Sequence, residues 1–122
     1  MKQFISCLFF TGFGNISAGA QVVIKIEDVN KHIGDSVKSV TKIYGGRYFK
    51  AMQGSPTCLY AGDMYPNNAI TLLISKNDRE NFDDEPESKY LYKTVCISGR
   101  LEMYNGKPTI KITKPEQIII QE

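Results

Sequence analysis

From residue 36 onward, apolar and polar residues mostly alternate with the two-residue period of strands, not the 3.6-residue period of helices. Residues 36–44 (SVKSVTKIY) are rich in β-branched side chains and run into Gly45 and Gly46, which predicts a first strand. Val37 and Ile43 share one phase while Val40 falls in the other, so this strand is expected to bend and serve two faces, as a small barrel requires. Residues 57–61 form a second strand, with Leu59 and Ala61 in one phase and Cys58 and Tyr60 in the other. Ile70, Leu72 and Ile74 alternate in a third. A long fourth strand over residues 92–103 carries Val95, Ile97, Leu101 and Met103 in phase, with Gly99 in its middle where a barrel strand would bend. Residues 104–107 (YNGK) are the strongest hairpin signal in the chain, because Asn-Gly accepts the positive φ values of a tight turn. A fifth strand over residues 109–113 follows, with Ile110 and Ile112 in phase; Pro115 ends it, and the apolar tail over 117–121 is expected to cover a barrel edge.

The segments between strands read as follows. Val29 and Ile33 lie at helical spacing before Gly34, predicting a short helix over residues 27–33. Residues 45–56 read as a loop, and residues 62–68 (GDMYPNN) as a turn. The acidic stretch over 78–87 reads as one helical turn plus loop, broken by Pro86. Five strands with a helical segment between the third and fourth follow the order of an OB fold. The predicted class is therefore all-β: a five-stranded OB-fold Greek-key barrel with a short N-terminal helix and a short helical segment between strands 3 and 4.

The first twenty residues follow another pattern. Lys2 precedes an apolar run over residues 4–13 (FISCLFFTGF), and a small polar stretch ends in Ala18-Gly19-Ala20, a cleavage pattern before Gln21. A first buried strand is the competing reading, but no turn chemistry joins this run to the next strand. Residues 1–20 are thus expected to be a signal peptide, residues 21–122 one OB-fold domain, and the location periplasmic or secreted.

Charge sharpens the picture. Without Lys2 the chain has fourteen basic and thirteen acidic residues, a weak net +1 for a nucleic-acid binder. Residues 78–87 hold six of the acids and one base, which leaves net +6 elsewhere and predicts one basic side.

Four pieces of the sequence carry a family resemblance: Ile33-Gly34 entering the first strand, Tyr65-Pro66-Asn67 between strands two and three, residues 95–100 (VCISGR) in strand four, and residues 104–108 (YNGKP) together with residues 115–118 (PEQI). On these, residues 32–122 resemble small bacterial OB-fold domains, many of them exported, that occur alone or beside nuclease domains. The resemblance implies nucleic-acid binding and brings no catalytic residues.

Chemistry-bearing constellations are scarce. His32 is the sole histidine, so neither a histidine metal cluster nor a Ser-His-Asp triad can be assembled. Neither Cys58 nor Cys96 belongs to a C-x-x-C pair, and Gly45-Gly46 lacks the lysine of a phosphate loop. Asp78, Glu80, Asp83, Asp84 and Glu85 are closely spaced oxygen ligands without the glycine and closing glutamate of an EF-hand. The reading is a protein that binds without catalysing and needs no cofactor or metal. OB folds bind across strands two and three, between the first–second and fourth–fifth strand loops. Those places hold Arg47, Tyr48, Phe49 and Lys50 in one loop, Tyr60 and Tyr65 near the face, and Tyr104, Asn105 and Lys107 in the other. Rings interleaved with cations suit single-stranded nucleic acid, where bases stack and phosphates need positive charge. An oligosaccharide or protein partner is the alternative, since tyrosine and asparagine also suit sugars.

Cys58 and Cys96 fall on strands two and four, which both flank strand one in OB order. They should stand about 9–10 Å apart, beyond disulfide reach, so both are expected to be free thiols.

Overall fold

The computed structural model describes residues 21–121; the signal peptide expected over residues 1–20 lies outside the described residues. Alternating β-branched segments build seven strands: β1 (Val22–Val23), β2 (Ser36–Tyr48), β3 (Thr57–Ala61), β4 (Ile70–Ile74), β5 (Thr94–Tyr104), β6 (Lys107–Lys111) and β7 (Ile118–Ile120). Between them lie 3-10 turns at Ile26–Lys31 and Pro115–Gln117 and two short helices, α1 (Lys76–Arg79) and α2 (Pro86–Lys89).

The strands form one seven-stranded sheet in the order β1-β2-β3-β4-β6-β5-β7, with a further pairing between β2 and β5. The first half of β2 pairs antiparallel with β5, from Ser36 opposite Arg100 to Lys42 opposite Thr94. Its second half pairs with β3, from Ile43 opposite Ala61 to Tyr48 opposite Thr57. β3 continues to β4, β4 pairs parallel with β6, and β6 returns to β5. The five longer strands thereby complete a circuit of pairings. β2 serves both halves of the sheet, as its broken alternation predicted.

The circuit is not a plain five-stranded barrel. β2 and β5 are longer than the circuit uses on one flank, and each free flank is taken by an extra strand. β1 pairs parallel with β2 at Val37 and Lys38, and Ser39 Oγ donates to the Ile24 carbonyl at 2.8 Å to hold that segment down. β7 pairs antiparallel with β5 at Val95, Cys96 and Ile97, so the isoleucine tail covers an edge, as expected, by becoming a strand.

The inward phases match the alternation. Leu59 and Ala61, then Ile70, Leu72 and Ile74, and Val95, Ile97, Leu101, Ile110 and Ile112 are all fully buried. Met103 departs from it and is half exposed, because β5 runs beyond the core there into the β5–β6 hairpin. Tyr104-Asn105-Gly106-Lys107 makes the predicted tight turn, with φ of 53° at Asn105 and 78° at Gly106.

Four further expectations are corrected. Gly45 and Gly46 do not end the first strand, which runs on through Arg47 and Tyr48. Gly46 is needed inside it, since a Cβ there would lie 2.9 Å from Leu59 Cδ2 and 3.1 Å from the Glu87 Cα of α2. Pro86 starts α2 instead of breaking a helix, a position where its missing N–H costs nothing. The helix expected over residues 27–33 is a 3-10 turn that buries Val29 and leaves Ile33 exposed beyond its end. Cys58 is a free thiol, as expected, but Cys96 is disulfide-bonded.

Candidate functional site

Residues directly opposite one another on paired strands share a face of the sheet. The outward face therefore carries Arg47 of β2, Cys58 and Tyr60 of β3, Thr71 and Leu73 of β4, and Lys111 of β6, in adjoining rows. Two walls rise from it. One is the β2–β3 loop with Phe49, Met52, Gln53 and Pro56; the other is the β5–β6 turn with Tyr104, Asn105 and Lys107. Together they enclose a groove of about 800 Å³.

The tyrosines stand at one end of the groove. The Tyr60 and Tyr65 rings lie 5.0 Å apart between centroids, tilted by 41°, within the range of an attractive aromatic pair. Tyr65 is 64% exposed and Tyr104 is 52% exposed, so two rings are open to a ligand. Lys107 is tied down: its ammonium donates to the Pro66 carbonyl, bridging the β5–β6 turn to the β3–β4 loop that carries Tyr65. An ammonium has three donors, so two remain for a ligand. Burial pushes the Tyr60 hydroxyl above its usual range, helped by Cys58 and Tyr65 and opposed by Arg47. Burial also pushes the Cys58 thiol up. Both groups stay neutral at physiological pH and add no charge to the groove. Lys107 and Lys111 supply positive charge along the groove, and Asp78 a negative charge at the far end.

Six of the nine residues singled out in the sequence line this groove: Phe49, Tyr60, Tyr65, Tyr104, Asn105 and Lys107. The other three do not. Arg47 lies on the outward face of β2 with its guanidinium 5.2 Å from the Phe49 ring centroid, at the rim. Lys50 is exposed on the loop, where its carbonyl accepts from Ser55 Oγ. Tyr48 points the other way, beneath Arg79, whose guanidinium carbon is 3.7 Å from its ring centroid. The loop placement expected for Arg47 and Tyr48 is thus corrected, and for Tyr48 the alternation of β2 decides which face it meets. Met52, Cys58, Thr71, Leu73, Asp78 and Lys111 also line the groove and were not singled out. For Cys58 and Leu73 the signal was present, since both occupy the outward phase beside Tyr60.

A second hollow, of about 620 Å³, opens by α1 and α2 and is lined by Arg79, Phe82, Asp83, Asp84, Glu85, Ser88 and Lys89. Among the described residues, no group of three or more His, Cys, Asp or Glu side chains could hold a metal ion, and no helix is long and apolar enough to cross a membrane.

No protein-family model matches the chain, and no curated protein does. Among solved structures it is similar to a chain assigned as an aspartyl-tRNA synthetase from Leishmania major Friedlin, with a TM-score of 0.51 and 9% sequence identity. The match covers 88% of this chain and 22% of that one, so this chain spans about a fifth of the length of the enzyme chain it resembles. At that identity the likeness concerns the fold alone.

Proposed function

We propose that this chain is an exported OB-fold domain that binds single-stranded nucleic acid in the groove across β3 and β4, without catalysis. The carrying observation is the groove itself: exposed Tyr65 and Tyr104 rings and the Tyr60 ring beside Lys107 and Lys111, between the β2–β3 loop and the β5–β6 turn. That is the face and the pair of loops with which OB folds bind. Rings stack on bases whatever their sequence, and the lysines can follow phosphates. The circuit of five strands supports the OB reading, and the structural neighbour bears the name of an enzyme that handles tRNA.

The test is a titration of fluorescently labelled oligo-dT at several salt concentrations. Contacts from Lys107, Lys111, Arg47 and Lys50 predict a slope of log affinity against log salt of roughly −2 to −3. Tyr65→Ala should weaken binding by about 1–3 kcal/mol and lower Tm only slightly, through the lost ring contact with Tyr60, since the Tyr65 ring is otherwise mostly in solvent. Failure to bind oligo-dT at low salt would refute the reading. Binding of an oligosaccharide or protein with little response to salt would establish the alternative, which neutral Tyr60 and Cys58 and the Asp78 carboxylate also suit.

A further inference from the structure

The ring-and-cation surface does not stop at the end of the groove. At the register shift in β2, Tyr44 and Gly45 together stand opposite Tyr60. Two residues against one is the count of a β-bulge, a device that re-aims a side chain. Tyr44 is turned to the side of the exposed Lys42, whose Nζ lies 5.6 Å from its ring centroid. Gly45, next to Tyr44, lies against the Tyr60 ring, since a Cβ there would stand in ordinary contact at 3.5 Å from it. One step further, Tyr92 and Lys93 flank the same point of β2. The Tyr92 N–H donates to the Ile43 carbonyl at 2.8 Å, and the Ile43 N–H donates to the Lys93 carbonyl at 3.0 Å.

Tyr92 is unusual in two respects. It is 64% exposed, and its φ is +62°, a left-handed conformation in which a tyrosine is disfavoured. Packing explains neither, because a mostly solvated ring adds little to a core. Among the described residues, no ion pair takes up Lys42 or Lys93. Two tyrosines and two lysines outside any ion pair thus adjoin the Tyr60 end of the groove.

We propose that a bound single strand leaves the groove over the β2 bulge and continues onto Tyr44 and Tyr92, with Lys42 and Lys93 meeting its phosphates. This rests on the groove reading and lengthens the site that reading assigns. A short strand fills the groove alone; a longer one gains the second pair of rings.

The experiment compares oligo-dT of about four and about sixteen nucleotides, a span that brackets the site sizes of OB folds, on the full chain and two variants. In Lys42→Ala/Lys93→Ala, affinity for the long strand should fall while its salt slope shrinks by about 1.4, from two lost phosphate contacts. Tyr92→Asn places a residue that tolerates the left-handed backbone, so Tm should hold or rise while long-strand affinity falls on the order of five- to tenfold. Neither variant should change binding of the short strand. Equal affinities of the unmodified protein for both lengths, or variants that affect both lengths alike or neither, would overturn the extended path and leave the groove reading standing. If the unmodified protein binds neither length, the groove reading fails and this one with it.

Discussion

A Gly99→Ala variant is expected to be less stable than the parent chain by about 2–6 kcal/mol. The added Cβ would stand 2.5 Å from Ile110 Cγ2 and 3.1 Å from Gln117 Nε2. Neither neighbour can yield easily. Ile110 is fully buried in the core, and Gln117 Nε2 donates to the carbonyls of Ser98 and Lys111, each at 3.1 Å, fastening the C-terminal turn to β5 and β6. Overpacking of that kind costs about 1–3 kcal/mol. The φ of +151° at Gly99 adds strain for any residue with a side chain, again about 1–3 kcal/mol. Small domains have about 5–15 kcal/mol of stability in all, so the variant should show a much lower urea midpoint. A midpoint close to the parent's would mean that β5 can give up the positive φ at Gly99 and make room for a Cβ at no cost.

The second large effect is expected at Arg79. Its guanidinium meets Glu87 through two hydrogen bonds, at 2.7 and 3.2 Å, and donates to Thr57 Oγ1 at 2.7 Å. Its face lies on the Tyr48 ring. With side-chain exposures of 15% and 19%, this pair is far better shielded than the surface pairs Lys31–Asp28 and Arg100–Glu102. Arg79→Ala would strand the Glu87 carboxylate and leave fully buried Thr57 short of a donor. The expected loss is about 2–3 kcal/mol, below the range for completely buried pairs because some water reaches this one. For a domain of this size that is a fall in Tm of roughly 8–20 °C. Dependence on pH follows from Glu87. Burial works to raise its pKa, but hydrogen bonds from Arg79 and the backbone, with the Arg79 charge, outweigh burial and hold it below the ordinary value of 4.5. The unfolded chain therefore takes up the proton first as the solution is acidified. This contribution is complete above about pH 4.5 and is lost as pH falls through the lower folded value. Urea midpoints of the parent and Glu87→Gln should differ most near neutral pH and converge in acid; a constant gap would rule the linkage out.

Much of this was legible in the chain because alternation reports burial directly. Leu59, Ile70, Leu72, Ile74, Val95, Ile97 and Ile110 share the phases of their strands in the sequence, and all are fully buried. Asn105-Gly106 announced its turn because few residue pairs accept two successive positive φ values. What escaped depended on neighbours distant in sequence. Gly45 and Gly46 resembled a strand end, and only the approach of α2 and Leu59 to Gly46 shows why glycine is required there within β2. Arg47 and Tyr48 were consequently placed in a loop, and Tyr48 was given a ligand when its partner is Arg79. Lys107 was legible as a cation at the groove but not as a strap to Pro66, since the loops that meet there lie 41 residues apart. Lys111 and Asp78 entered the groove only through the parallel pairing of β4 with β6 and the placing of α1, which no local pattern encodes.

The circuit of strands also determines when the chain can become a protein. The first half of β2 finds its partner only in β5, with Lys42 opposite Thr94 and Ser36 opposite Arg100, separations of 52 and 64 residues. Pairings that distant must absorb a large loop-closure entropy before any contact repays it, and such topologies fold slowly. A nascent chain that has not yet reached residue 94 leaves half of its longest strand, Ser36–Tyr48, without its β5 neighbour. Assembly therefore waits for the second half of the sequence, and until then the unpaired edge of β2 is the part of the chain most in need of protection from other chains.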